Sequence, residues 1–405
     1  MPRIDRRSFI QVTGLGVTAA TLGPSAPAYA QNLPDVVVVG AGAFGAWAAL
    51  HLRERGLRVT LLDAFGPGNA RATSGGETRQ IRVGYGDREL YSRWVLRAFA
   101  AWRQREKEFG RQLLYPIGRL QLAPEWNAGM AATAKVFEAL RVKHERLGQD
   151  DLRRRFPAIA VDDVGAGLYE PDAGILKARE AIIAVAAAFQ RKGGTLALVR
   201  AAPGPTAGRR MDAVVSGATR YGGGSFVFAC GPWLGALFPG VLQTRITTPR
   251  REVFFFGTPP GDGRYSWPNL PNFSEATFYG FPSLDGRGLK VSPVGGDRIM
   301  DPDSEERTPS DDLVRRSHEY VARRFPGMAG QPIVESRVCQ LENTADEHFL
   351  IDRHPDYDNV WIAGGGSGHG FKHGPIVGEY IADRAMGRPA DPSFAKVFAI
   401  ERARG

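Results

Sequence analysis

Gly40, Gly42 and Gly45 read G-x-G-x-x-G directly after the run Val36-Val37-Val38-Val39. Four β-branched residues in succession make a strand buried on both faces. The first glycine permits a tight turn, the second lets backbone approach a pyrophosphate, and the third lets a helix lie against the strand. The helix predicted over Ala46 to Arg55 turns its N-terminus toward that phosphate. A second strand, Leu57 to Leu62, ends in Asp63, about 20 residues on, where a carboxylate can take both ribose hydroxyls. This order of parts makes a dinucleotide site but does not choose between NAD and FAD. A second glycine cluster, Gly364 to Lys372, follows a strand predicted over Asn359 to Ala363. Its backbone N–H groups can come against a flat cofactor ring or its phosphates.

The elements that position these clusters are legible in outline. Leu90 to Phe109 spaces Leu90, Trp94, Leu96, Phe99 and Trp102 for one helix, with the aromatics as core. Helices are expected over Glu125–Arg146, Gln149–Phe156, Ala178–Arg191, Asp311–Phe325 (capped by Ser310) and Pro375–Met386. Strands are expected over Gly118–Ala123, Thr195–Val199, Ser225–Ala229 and Ile333–Leu341. The glycines and arginines between Arg209 and Gly224 look like turns of a small meander. Arg250–Phe256, Thr277–Tyr279 and Leu289–Ser292 alternate with the period of an antiparallel sheet. Strand–glycine–helix units thus stand at both ends of the chain, with antiparallel sheet between them.

Composition narrows the class. A chain of 405 residues, 43% hydrophobic and 23% charged, can bury a large core and favours two lobes over one. The net charge of +9 comes from arginines scattered over surfaces rather than a basic run interleaved with aromatics, so no nucleic-acid module is expected. No apolar run approaches about 20 residues, so no stable membrane insertion is expected. Residues 1–30 read as an export leader: Asp5-Arg6-Arg7-Ser8-Phe9-Ile10 is a twin-arginine pattern, and Ala28-Tyr29-Ala30 offers a cleavage site. The protein is therefore expected in the periplasm or cell envelope. Two cysteines, Cys230 and Cys339, leave room for one disulfide but need separate explanations, Cys230 as a small core residue. No Cys/His cluster has metal-ligand spacing.

The residues resemble a family, the FAD-dependent amine oxidases of the monomeric sarcosine oxidase and N-methyltryptophan oxidase type. The likeness runs from about Pro34 to about Met386. It is carried by Val39–Gly45, Gly76-Glu-Thr-Arg-Gln-Ile-Arg82, Tyr279-Gly-Phe-Pro-Ser283, Gly288-Leu-Lys290, Val338-Cys339, Asp346–Asp352 and Ser367-Gly-His-Gly-Phe-Lys372. It implies a two-lobed α/β fold: a Rossmann-like FAD-binding domain from residues 34–115, 170–245 and 340–400, and an antiparallel-sheet substrate domain from 116–169 and 246–339. The implied cofactor is FAD, attached through Cys339. Further cofactor contacts are implied at Ser74, Arg79, Ser367, Gly368, His369, Gly370, Phe371 and Lys372.

The same resemblance places Arg79 as a cation facing the flavin and Lys290 as a lysine assisting reaction with oxygen. Arg82 and Lys372 fall on the pair that grips a substrate carboxylate, and Tyr279 joins the catalytic set. An arginine fork plus a lysine point charge suits that anion. Gly75, Val294 and Leu341 stand where sarcosine oxidases carry histidine, histidine and tyrosine, which thins the polar lining and argues against sarcosine itself. The implied activity is oxidation of the C–N bond of an amine or amino acid, secondary or N-alkylated, to an imine, with oxygen as acceptor and hydrogen peroxide as product. Two alternatives are an exported dehydrogenase passing electrons to a quinone or carrier protein, and a flavoprotein without turnover.

Overall fold

The computed structural model describes residues 35–401 except 296, 297 and 390. The twin-arginine pattern and its cleavage site lie outside these residues. At the centre is a six-stranded sheet in the spatial order Leu350–Arg353, Val360–Gly364, Ser225–Phe228, Val36–Val39, Val59–Asp63 and Thr195–Leu198. The neighbours pair in parallel except the Leu350–Arg353 edge, which runs antiparallel. The valine run is central because it is apolar on both faces, and no residue in it is more than 4% exposed. On one face lie the helices Ala43–Glu54, Ala178–Arg191 and Gly374–Ala385. There Trp47 and Trp102 are fully buried and meet edge to face at 5.3 Å. Phe226, Phe228 and Phe238 form the core on the other face.

A second sheet has eight strands, ordered Ile333–Gln340, Arg250–Phe256, Leu289–Pro293, Phe278–Phe281, Asn272–Ser274, Arg119–Ala123, Ala166–Glu170 and Glu145–Gly148. It is antiparallel apart from one parallel pairing, Asn272–Ser274 with Arg119–Ala123. Phe254, Phe256 and Phe273 pack beneath the helix Asp311–Arg324, where Tyr320 stacks on Phe278 at 4.1 Å. A third sheet joins Thr78–Ile81, Gly174–Lys177 and Leu114–Pro116. The expected class, a Rossmann-like sheet with helices and a separate antiparallel sheet, is the one found.

Local boundaries differ where a tertiary partner wins. The helix expected over Glu125–Arg146 is confined to Ala128–Ala139. The Asn127 side chain caps its start by accepting from the Met130 N–H, and Arg141 at φ +55° ends it. Glu145–Gly148 then becomes an edge strand against Ala166–Glu170, because pairing satisfies its backbone better than an isolated last turn would. Thr78–Ile81, to which no element was assigned from the sequence, is a strand hydrogen-bonded to Gly174–Lys177.

Candidate active site

A cleft of about 370 Å³ opens at the C-terminal ends of the parallel strands, where open α/β sheets bind ligands. Its glycines are there for steric reasons. Gly40 sits at φ +101°, and a Cβ on it would lie 2.4 Å from the Ala229 carbonyl oxygen. A Cβ on Gly45 would lie 1.9 Å from the Gly40 carbonyl oxygen, so helix and strand can approach only without one. Gly42 faces Ser74 across the cleft, and the helix it begins has no side-chain cap, leaving first-turn N–H groups for a ligand. Asp63 accepts from the Ala41 N–H at 2.7 Å and from Phe65 and Gly66 at 2.9 and 2.7 Å. Three backbone donors hold the carboxylate in place while one of its roughly four lone-pair sites stays open to a ribose.

The other end of the cleft is lined by Arg79, Leu341, Ser367, Gly368, Gly370 and Phe371. The second glycine cluster therefore meets the first across one groove, as expected. The Arg79 guanidinium is tied to the Thr78 carbonyl at 2.7 Å and to the Thr73 carbonyl. Glu342, overlooked in the sequence, is buried here. Its Oε1 accepts from the Gly366 N–H at 3.1 Å, and its Oε2 has no partner. Burial pushes its carboxyl up to about 7. Glycines that admit no Cβ, a bound acid at one end, and cation, backbone loop and orphaned carboxyl at the other fit an extended FAD.

Lys290 and Cys339 lie on the eight-stranded sheet. Lys290 is 5% exposed and donates to the Thr78 carbonyl and hydroxyl at 3.1 and 2.9 Å, so it shares Thr78 with Arg79. Burial, then Arg79, lowers its ammonium to about 7. Cys339 accepts at Sγ from Arg337 Nε at 3.1 Å, while Arg337 also reaches the carbonyls of Gly75 and Ala70. Both cysteines are free thiols, and Cys230 reaches the Val39 carbonyl at 3.4 Å.

Arg82 and Lys372 meet in a pocket of aromatics. The Arg82 guanidinium lies 4.6 Å over the Tyr85 ring, and Lys372 Nζ donates to the Tyr85 hydroxyl at 2.9 Å and the His369 carbonyl at 3.0 Å. Arg82 Nη1 is buried without a partner. Burial, then Arg82, holds the Lys372 ammonium well below its ordinary range. His369 bonds Tyr85 and the Glu347 carbonyl, which turns its ring into this aromatic pocket, and burial, then Lys372, lowers its imidazolium to about 3. Tyr279 sits mid-sheet between Ser274 and Ser292.

The departures from the resemblance also have structural reasons. A Cβ on Gly75 would lie 1.7 Å from the Asn69 carbonyl oxygen, so no histidine fits this backbone. Val294 is 39% exposed, and Leu341 lines the cleft. Arg119, Glu170, Tyr85, Arg337 and Glu342 were not singled out in the sequence. Only Tyr85 carried a signal, three residues after Arg82. Among the described residues no helix is long and apolar enough to cross a membrane, and no group of three or more His, Cys, Asp or Glu could hold a metal ion.

The family described as FAD dependent oxidoreductase matches residues 35–384. The chain is 31% identical to monomeric sarcosine oxidase of Streptomyces avermitilis, over 88% of this chain and 95% of that one. It is also 31% identical to N-methyl-L-tryptophan oxidase of Salmonella arizonae, over 89% of this chain and 96% of that one. Among solved structures, L-proline dehydrogenase from P. horikoshii superposes with a TM-score of 0.80 at 20% identity, covering 91% of this chain and 97% of that one. The fold, the cleft and these likenesses agree: the chain belongs to the FAD dependent oxidoreductase family, in the group of monomeric sarcosine oxidase and N-methyl-L-tryptophan oxidase, and is an FAD-dependent enzyme.

Proposed function

We propose that the protein oxidises the C–N bond of an N-alkylated amino acid to an imine, which water hydrolyses, with oxygen as acceptor and hydrogen peroxide as product. The observation that carries the reading is the Arg82–Lys372 pair: a buried lysine beside a half-buried arginine whose Nη1 is buried without a partner, both against the Tyr85 ring. A substrate carboxylate would complete it with charge-assisted hydrogen bonds. Bound FAD supplies the oxidising power. Gly40, Gly42, Asp63, Ser74 and the Ser367–Phe371 loop would hold it, and Arg79 and Lys290 would favour negative charge at its ring end. The aromatic wall of Tyr85, Tyr91 and Phe349 excludes water from the carboxylate pocket. Arg82→Met should lower kcat/KM for carboxylate substrates roughly tenfold to hundredfold, at ~1.5–3 kcal/mol per charged hydrogen bond, and barely affect the matching carboxamides. A natural preference for uncharged amines would refute the assignment.

The reading extends to three further points. The FAD is bonded to Cys339, supported by the Arg337 guanidinium at its sulfur. The eight-stranded sheet forms the substrate lobe. The protein is exported by the twin-arginine route, so replacing Arg6 and Arg7 by lysine should retain it in the cytoplasm, and normal export of that variant would exclude the route. A dehydrogenase with a quinone acceptor is the outcome if reduced flavin reacts sluggishly with oxygen.

A further inference from the structure

We infer that Arg119 binds a second acidic group of the substrate, so that the amino acid oxidised carries an anionic side chain beside its α-carboxylate. This rests on the carboxylate reading of Arg82 and Lys372. Arg119 opens the strand Arg119–Ala123 and is paired in register with Glu170 on one side and Asn272 on the other. It is 9% exposed, a costly place for a guanidinium without an anion. Its Nη2 donates to Ser274 Oγ at 3.0 Å, and its Nε is buried without a partner. Ser274 is the register partner of Tyr279, which brings Arg119 toward the candidate catalytic set. Its Nη1 would lie 3.7 Å from a Cβ on Gly84, placing the guanidinium beside the Arg82–Gly84 backbone.

Charge is out of balance at this place. Arg82, Arg119 and Lys372 act on one another, and the carboxylate acting on Arg119 and Lys372 is Glu170. That carboxylate is committed to the Val83 and Gly84 N–H groups at 2.6 and 3.3 Å. Among the described residues no carboxylate oxygen lies within 4.0 Å of a charged nitrogen of any of the three cations. A structural Arg119–Glu170 bridge would show the short forked contact that arginine and carboxylate form readily. Burial, reinforced by Arg82, lowers Arg119 to about 9, which an arriving anion would reverse. One α-carboxylate answers the Arg82–Lys372 pair. A second acid answers Arg119.

The test titrates the FAD-loaded protein calorimetrically with glutarate and with valerate, which share a carbon count and differ by one carboxylate. Glutarate should bind at least tenfold tighter. Arg119→Met should erase that preference while Arg119→Lys keeps part of it, and Arg82→Met should weaken both anions. Equal binding in the natural protein, or equal weakening of both anions by Arg119→Met, overturns the inference. Should Arg119→Met fail to fold, the natural protein's preference between the two anions still decides. In turnover, N-methyl-L-glutamate should exceed N-methyl-L-glutamine at least tenfold in kcat/KM. Comparable turnover of the two overturns the inference and leaves the proposed function standing. If neither is oxidised, nor any other N-alkyl amino acid, the proposed function falls, and glutarate against valerate still decides for Arg119.

Discussion

Replacing Lys290 by methionine separates a functional cation from a structural one. Holding an ammonium that ordinarily titrates at 10.5 down at about 7 costs about 5 kcal/mol, at 1.36 kcal/mol for each tenfold change in proton affinity. Methionine removes that cost, keeps an apolar stem against Phe281 and Phe255, and forfeits two hydrogen bonds to Thr78. Those bonds contribute about 1 kcal/mol each. The net is a gain of about 3 kcal/mol in folding stability below pH 7. Its pH dependence follows from the direction of the shift. The unfolded lysine holds its proton up to 10.5 while the folded one releases it near 7, so the natural protein gains stability as pH rises through that window. The advantage of Lys290→Met should therefore be full at pH 6 and gone by pH 10, as read by denaturant unfolding. The same variant should reoxidise its reduced flavin with oxygen orders of magnitude more slowly than the natural enzyme, with anaerobic reduction by substrate changed only a few-fold. Loss of stability at every pH, with no selective loss of oxygen reactivity, would refute the reasoning.

Three further outcomes follow from the cleft. Glu342 holds its proton to about 7 against an ordinary 4.5, so stability should fall as pH rises from 4.5 through 7. Glu342→Gln should recover about 3 kcal/mol at pH 8 and almost nothing at pH 4, and an equal gain at both would contradict the assignment. Gly45→Ala puts a methyl group against backbone and should destabilise the fold by about 1–3 kcal/mol or more. Gly42→Ala meets only Ser74 Oγ at 3.4 Å and should fold with reduced flavin content, so equal stability losses for the two would count against the cradle. Acid-precipitated protein should stay yellow, and Cys339→Ala should release its flavin; free flavin in the natural protein's supernatant would end the covalent claim.

What could be read from the sequence was local. The valine run, its glycines and Asp63 declare a strand, turn, helix and acid within some thirty residues, and the structure keeps them in that order. The second glycine cluster was legible for the same reason. The carboxylate pocket was legible only in part. Arg82 and Lys372 stand out by resemblance, but Arg119 joins them through strand register with Glu170 and Asn272, and no periodicity marks a buried arginine in an amphipathic strand. Glu342 and Arg337 likewise acquire roles from neighbours distant in the chain, Gly366 and Gly75 among them. The helix expected over Glu125–Arg146 stops short at Ala139 for a related reason: the last residues of that span had an edge to pair with that the sequence does not reveal.

The central claim is that FAD in this cleft accepts electrons from an N-alkylated amino acid held by its carboxylate. Its most direct test is anaerobic bleaching of the bound flavin across a panel of N-methyl amino acids, their carboxamides and simple secondary amines, which assumes nothing about the acceptor. Rapid bleaching by N-methyl amino acids and slow or absent bleaching by the carboxamides and amines is the predicted result. Bleaching by the uncharged amines alone, or by none of the panel, would contradict it.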